Sequence, residues 1–369
     1  MKIFVFGSSI TSSYWNGAAT YYRGIYRNLA LLGHEITFAE PDVYGRQQHR
    51  DPADYSYVES VVYSTPGDLP AMFSRAAGAD LIIKHSGVGA DDPELECAVA
   101  RDIESDALRA FWDVDAPATL SRIETEHNDP FRPLIPDFDF IFTYGGGPPV
   151  IEHYLHLGAR NCDPIYNALD PETHFPVSAD FSLECDLVLV ANRLPDREQR
   201  VEQFFLRAAE LAPDLRFILG GEGWGNKRLP ENVRWIGHVA TGDHNRVNCS
   251  ARMVLNLNRD SMASVGFSPP TRVFEAAGAG ACLITDAWAG IEQFFEPGCE
   301  ILVTQSAEEI VRLLRETSTA DAERIGAAMR ARALRDHTYA QRAVEVSRLL
   351  EQKELRSRPT SERVEFARI

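Results

Sequence analysis

The chain has 369 residues, 44% hydrophobic and 25% charged, and a formal net charge of −17. That length makes two domains with a sizeable core the starting expectation, and the acidic balance argues against a nucleic-acid or anionic-membrane surface, so any phosphate site must build its positive field locally. No apolar run approaches the ~20 residues of a membrane span, Met1 and Lys2 lead straight into an apolar strand with no signal-peptide pattern, and scattered cysteines without a C-x-x-C pair read as free thiols of a reducing cytoplasm.

Lys2 to Phe6 reads as a strand, with Gly7-Ser8-Ser9 turning after it. Trp15-Asn16-Gly17-Ala18-Ala19 opens a helix with apolar or aromatic residues at Tyr22, Ile25, Tyr26, Leu29 and Leu32. Gly33-His34 stops it, and Glu35 to Ala39 is a second strand. This is a βαβ unit of the doubly wound kind, an opening shared by many unrelated folds. Asp80 to Lys84 is a buried strand running into His85-Ser86-Gly87. Another ends at Asp113-Val114-Asp115, and Phe140 to Thr143 runs into Tyr144-Gly145-Gly146-Gly147. Ligands of a parallel α/β sheet sit beyond the carboxyl ends of its strands, so these segments line one side of a common cleft. Asp113, Asp115 and His85 are candidates for a general base there, with capping and turn roles as the plain alternative.

Asn167 to Pro176 is polar, carries two prolines and reads as a linker. A second α/β unit follows, with strands at Asp186 to Ala191, Arg216 to Leu219, Val233 to Gly237 and Val254 to Asn258, and a helix from Gln199 to Leu211. Helices over Ala307 to Arg315, Asp321 to Asp336 and Ala340 to Leu350 close the chain before a polar tail of about 15 residues, expected to be loose.

The most informative stretch is Ser264 to Gly290. Ser268 is a candidate N-cap and Pro269 a candidate first helical residue. The helix then takes in Thr271, Arg272, Val273, Phe274 and Glu275, and Gly278 and Gly280 end it. Cys282 to Thr285, closed by Asp286, is a buried parallel strand. A helix N-terminus suits a phosphate, Arg272 in its first turn adds a planar fork for phosphate oxygens, and Glu275 shares a face with Arg272 at i+3. A carboxylate there is placed to accept both hydroxyls of a ribose. Spacing alone does not separate this from an Arg–Glu pair on an ordinary helix.

The same stretch resembles the donor-nucleotide motif of the GT-B glycosyltransferases, and is most similar to the CgeB-type (spore-maturation-protein-like) branch. The branch pattern R-x-F-E-A-x-x-x-G, then an apolar strand ending in Asp, is matched by Arg272, Phe274, Glu275, Ala276, Gly280 and Asp286. Its G-x-E-x-x-F-E-P-G-x-E run is matched from Gly290 to Glu300. Gly17 and Gly33-His34-Glu35 fit the way such chains begin, and Asn167 to Pro176 resembles their crossover between domains. Asn192 to Arg197 is similar to their phosphate loop, with Asn192 in the glycine position and Arg197 in the lysine's. Trp235 to Val239 resembles the loop that holds the nucleobase.

The resemblance implies an α/β, GT-B fold of two Rossmann-like, doubly wound domains facing a central cleft. Residues 1–166 form the acceptor domain, 167–182 the linker, 183–338 the nucleotide-sugar donor domain, and 339–369 a closing helix and tail. It implies a glycosyltransferase, hexosyltransferase-like, using a nucleotide diphosphate sugar, UDP-linked, as co-substrate. No other cofactor and no metal are expected. The donor-binding residues are then Arg193, Arg197, Gly221, His238, Asn258, Ser268, Thr271, Arg272 and Glu275, with Arg193, Arg197 and Arg272 converging on the diphosphate. Gly17, Ser86, Tyr144 and Gly145 face a small-molecule or glycan acceptor, and a second copy of the chain stays open as a partner. One departure stands out: many retaining members carry a second glutamate where this chain has Phe267, which leaves sugar recognition and stereochemistry open. A nucleotide-sugar epimerase or hydrolase, and an inactive nucleotide-sugar-binding protein, are the alternatives.

Overall fold

The computed structural model describes residues 1–14 and 16–357, with side chains described through Lys353. Trp15 and nearly all of the expected loose tail lie outside the described residues. The first domain runs β1 (Lys2–Phe6), α1 (Ala19–Leu31), β2 (Glu35–Pro41), β3 (Glu59–Tyr63), α2 (Leu69–Ala76), β4 (Leu81–His85), α3 (Asp92–Cys97), β5 (Leu108–Asp113), α4 (Ala116–Thr125), β6 (Phe140–Thr143), α5 (Gly147–His156) and β7 (Cys162–Pro164). Its strands lie in the order β3-β2-β1-β4-β5-β6-β7, and each neighbouring pair is parallel. Strands buried on both faces need no polar alternation, which is why Ile3 to Phe6 and Leu81 to Ile83 are unbroken apolar runs.

The second domain runs β8 (Cys185–Val190), then α6 (Pro195–Arg200), which continues through a π-helical turn over Val201–Leu206 into α7 (Arg207–Leu211). After it come β9 (Phe217–Gly220), β10 (Val233–Trp235), α8 (His244–Ser250), β11 (Ala251–Asn256), α9 (Asp260–Val265), α10 (Thr271–Ala279), β12 (Leu283–Asp286) and β13 (Leu302–Thr304). The strand order β10-β9-β8-β11-β12-β13, again parallel throughout, repeats the winding of the first sheet. In both sheets the order reverses beside the first strand: between β1 and β4, and between β8 and β11. The crevice at such a reversal is where doubly wound sheets bind ligands.

Three helices close the chain: α11 (Ala307–Glu316), α12 (Thr319–Asp336) and α13 (Tyr339–Ser357). The last returns to the first domain. Tyr339, Ala343, Val346 and Leu350 join the apolar layer of Tyr21, Tyr22, Ile25 and Leu29 on α1, and a Cβ at Gly24 would overlap the Tyr339 ring. The outgoing and returning crossings run side by side, with Leu169 N–H donating to His337 O at 2.8 Å and Tyr339 N–H to Leu169 O at 3.1 Å.

Of the boundaries that differ from the sequence expectation, two bear on the site. The helix after β8 starts at Pro195 rather than Gln199. Helix α10 starts at Thr271, not Pro269, and its N-cap is Pro270 in an extended conformation with ψ of 161°. The proline pair explains the shift: a residue preceding proline is pushed out of the helical region, so Pro269 cannot begin a helix that Pro270 follows. Ser268 is no cap; its Oγ donates to Gly266 O at 2.9 Å.

Candidate functional site

Arg272 stands at the chain reversal of the second sheet. Its Nε donates to Val190 O, at the end of β8, at 2.6 Å, and its Nη1 to Asn256 Oδ1, at the end of β11, at 2.9 Å. One guanidinium thus spans the two strand ends that flank the crevice, held by neutral acceptors that leave its charge in place. No side chain caps α10, so the Thr271 and Arg272 amides, at the first two helical positions, stay outside the helical ladder.

Arg197, in the first turns after β8, shares this field. Its Nε is shut off from solvent without a hydrogen bond. Burial first, and repulsion from Arg272 second, push its guanidinium down to about 9. Burial likewise lowers Arg272, though Glu275 and Asp286 oppose it. In an acidic protein, two half-buried, mutually repelling cations mark a candidate site for an anion.

The first domain closes over this point. Arg259 Nη1 meets Asp115 Oδ2 at 3.1 Å across the domain boundary, and its Nε meets Asp196 Oδ2 at 2.5 Å. Asp115 Oδ1 is buried without a hydrogen-bond partner. The Tyr144 hydroxyl contacts Met262 Sδ at 3.7 Å, and burial raises its pKa, with Asp115 adding to the rise and Arg259 and Arg197 opposing it. A Cβ on Gly145 would sit 2.6 Å from Ser268 Oγ, and one on Gly147 would sit 2.6 Å from the Phe267 ring. Phe267 adopts φ of 48°, a strained value for a bulky residue. Its carbonyl accepts from Gly146 N–H at 3.0 Å and its amide donates to Ala289 O at 2.7 Å.

The expected three-arginine cluster is therefore differently composed. Arg193 turns to its own loop, paired with Glu198 at 2.7 Å and bonded to Asn226 Oδ1 at 2.8 Å; the nearby carboxylate wins over the crevice. Arg259 takes part in the field instead. Gly221 has φ of +114° and its amide donates to Gly237 O at 2.7 Å, tying the β9 turn to the Gly237–His238 loop. His238 is exposed on that loop. Asn258 is 2% exposed, and its Nδ2 is buried without a partner. Its amide is held by Asp286, itself paired with Arg200 at 2.5 Å.

Three first-domain candidates are consumed by structure. His85 is fully buried among Tyr22, Tyr26 and Trp112, with Tyr26 Oη 2.5 Å from its Nε2. Burial, helped by Lys84, lowers it to about 3; a histidine sealed in the core and so weakly basic does not reach a bound hydroxyl as its base. Asp113 is also fully buried. It accepts from Tyr154 Oη at 2.5 Å, Asp115 N–H at 2.9 Å and Thr119 Oγ1 at 3.1 Å, and burial raises its pKa. It braces the loop that presents Asp115. Ser86 Oγ accepts from Val114 N–H at 2.8 Å in the same brace. Gly17 lies exposed before α1, with open space where a Cβ would be.

Glu275 brings two residues that spacing did not single out. His244, at the start of α8, places Nδ1 3.2 Å from Glu275 Oε2. The His174 ring, from the crossover, stacks on His244 at 6.1 Å and 25°. Burial opposes the ionised Glu275 carboxylate, but His244, His174 and Arg272 outweigh it and hold it at about 2. Burial lowers His244 too, yet Glu275 more than compensates, so its pKa is raised. His174, with neither ring nitrogen bonded, is lowered by burial. A histidine in a loop or at the first position of a short helix has no periodic signature, so only the fold could assemble this group.

Residues 197–348 match the family described as glycosyl transferase-like. No curated protein matches the chain significantly. Among solved structures, sucrose-phosphate synthase from Thermosynechococcus elongatus is 15% identical with a TM-score of 0.68, covering 97% of this chain and 100% of that one. Anabaena HepE in complex with UDP-glucose is 13% identical with a TM-score of 0.68, covering 95% and 100%. An α-glucosyltransferase in complex with UDP-glucose and DNA containing an abasic site is 12% identical with a TM-score of 0.67, covering 95% and 99%. These likenesses establish the fold, GT-B, over the length of the chain.

Two expectations follow from the charges. Replacing Arg197 by Met removes a half-buried cation that makes no ion pair among the described residues, so the free protein should gain on the order of 1 kcal/mol and lose the thermal stabilisation that pyrophosphate gives the parent; a variant melting below the parent would contradict this. The Glu275 contribution is full above its ordinary value of 4.5 and is lost as pH falls through about 2. The His244 contribution is full below its ordinary value of 6.5 and is lost as pH rises through its raised folded value. His244→Ala should therefore cost more stability at about pH 5.5 than at about pH 8.5 in denaturant titrations.

Proposed function

We propose that the protein is a glycosyltransferase of the CgeB-type branch that moves a sugar from a UDP-linked donor to an acceptor hydroxyl presented by the first domain. The observation that carries this reading is the pair Arg197 and Arg272, half-buried at the sheet reversal and, among the described residues, without an ion-pair partner. A nucleotide diphosphate supplies the missing counter-charge. Its phosphates lie on the two guanidinium groups and the open amides of α10, and the ribose diol on Glu275 one turn along the same helix.

In the reaction the bond between the anomeric carbon and the β-phosphate oxygen breaks, and its electron pair leaves with the diphosphate. Arg197, Arg272 and the helix N-terminus stabilise that charge as it develops. The acceptor oxygen bonds to the anomeric carbon, and its proton passes to Asp115, the expected base that faces the cleft. Arg259 holds Asp115 in the free protein, and an arriving diphosphate competes for Arg259. The cations do the work that a divalent ion does elsewhere; among the described residues no group of three or more His, Cys, Asp or Glu is placed to hold a metal. Asp137 and Asp139, whose D-x-D spacing could suit a divalent ion, are spent on Arg101 at 2.6 Å and Arg160 at 3.2 Å. No resident cofactor is needed. Among the described residues no helix is long and apolar enough to cross a membrane, and we place the reaction in the cytoplasm.

Losing a charge-assisted phosphate contact costs about 1.5–3 kcal/mol, so Arg272→Ala should weaken UDP at least ~tenfold in calorimetric titration and change uridine little; equal losses for both would remove the assignment. With a UDP-sugar, turnover should require an acceptor and continue in EDTA. Donor consumption without an acceptor would point to a hydrolase or epimerase instead.

A further inference from the structure

Glu275 uses only one carboxylate oxygen inside the protein. Oε2 lies 3.2 Å from His244 Nδ1 in an ionic contact that lacks hydrogen-bond geometry, and Oε1 makes no hydrogen bond among the described residues. The two side chains are nearly closed off, at 12% and 18% exposure. A long carboxylate with one engaged oxygen has one orientation; with none it has several.

His244 is itself held from two sides. The next residue, Asn245, clamps the domain crossover: its Nδ2 donates to Thr173 O at 2.8 Å and its Oδ1 accepts from Phe175 N–H at 3.3 Å. The residue between those two partners is His174, 3% exposed, whose ring lies face to face with His244. His174 is pressed against α10 as well, because a Cβ on Gly278 would meet its carbonyl at 2.6 Å and its Cβ at 2.7 Å. Crossover, α8 and α10 therefore meet around one imidazole, and that imidazole touches the carboxylate.

Resting on the reading of Glu275 as the ribose ligand, we propose that His244 is a positioning residue for the nucleoside: it holds Glu275 Oε2 so that Oε1 faces the 2′ and 3′ hydroxyls, and His174 backs it from the crossover. His244 then acts on the ribose and not on the phosphates. It also joins the linker between domains to the part of the donor that is read first by hydroxyl pattern.

The test is calorimetric binding of UDP, 2′-deoxy-UDP and inorganic pyrophosphate to the full chain and to His244→Ala, His244→Gln and Glu275→Ala. The parent should prefer UDP to 2′-deoxy-UDP. His244→Ala should lose about tenfold of that preference with pyrophosphate affinity unchanged, and His244→Gln, which keeps a donor, should restore part of it. Equal weakening of all three ligands in His244→Ala and His244→Gln would mean a purely structural histidine and overturn the proposal. A Glu275→Ala variant that loses the preference while His244→Ala keeps it would overturn this inference alone. A Glu275→Ala variant that keeps the preference would overturn the ribose reading on which it rests.

Discussion

The interaction on which the site depends is the span of Arg272 across the crevice between β8 and β11. Its donors are taken by a carbonyl and an amide oxygen, which fix its direction without cancelling its charge. The contrast with the surrounding arginines defines the site. Arg193 has Glu198, Arg200 has Asp286, and Arg259 has Asp115 and Asp196. Among the described residues Arg197 and Arg272 have no such partner, and each is a cation that burial makes costly. In a chain of net charge −17, leaving two cations uncompensated requires keeping every nearby carboxylate occupied or out of reach. The protein does both, and the free state carries an electrostatic cost that an anion removes.

The same point is where the domains touch. Asp115 reaches Arg259, Gly145 lies on Ser268, and the Phe267 ring wedges against Gly147 of the first domain and Gly290 of the second. Glycines at these positions are a matter of clearance, since side chains there would occupy the space of the facing loop. Phe267 replaces a carboxylate in the related pattern with an apolar wedge in a strained conformation. On the proposed reading sugar hydroxyls are met by other groups, and the Asn258 Nδ2, buried without a partner among the described residues, is a candidate. The return of α13 to the first domain means that both crossings of the chain lie together, so the hinge between domains is a pair of hydrogen-bonded segments.

Much of the architecture was legible because parallel strands buried on both faces leave unbroken apolar runs. Lys2 to Phe6, Phe140 to Thr143 and the strand closed by Asp286 are read directly from such runs. The strands that escaped reading are β3, β7 and β13, all at sheet edges or of three residues. An edge strand is covered less and needs no long apolar run. The start of α10 was misplaced because Ser268-Pro269 has the local chemistry of a helix start, while the second proline vetoes it. His85 and Asp113 lie at strand ends, where ligands gather, but the position of a strand end does not say whether a side chain points to the cleft or into the layer of aromatics behind it.

By itself the sequence determined the fold class and the two-domain plan, and it singled out the helix proposed to meet the phosphates, because hydrophobic periodicity and the R-x-F-E-A pattern are local. It also determined that a local source of positive charge was needed. Only the tertiary structure decided which arginines supply that charge: Arg193 and Arg197 are four residues apart on one loop, yet one meets a carboxylate and the other meets Arg272. It alone joined His174, His244 and Glu275, which come from the crossover and two separate helices. Pairing energies depend on distance and on burial, and both are set by how remote segments of the chain fold onto one another.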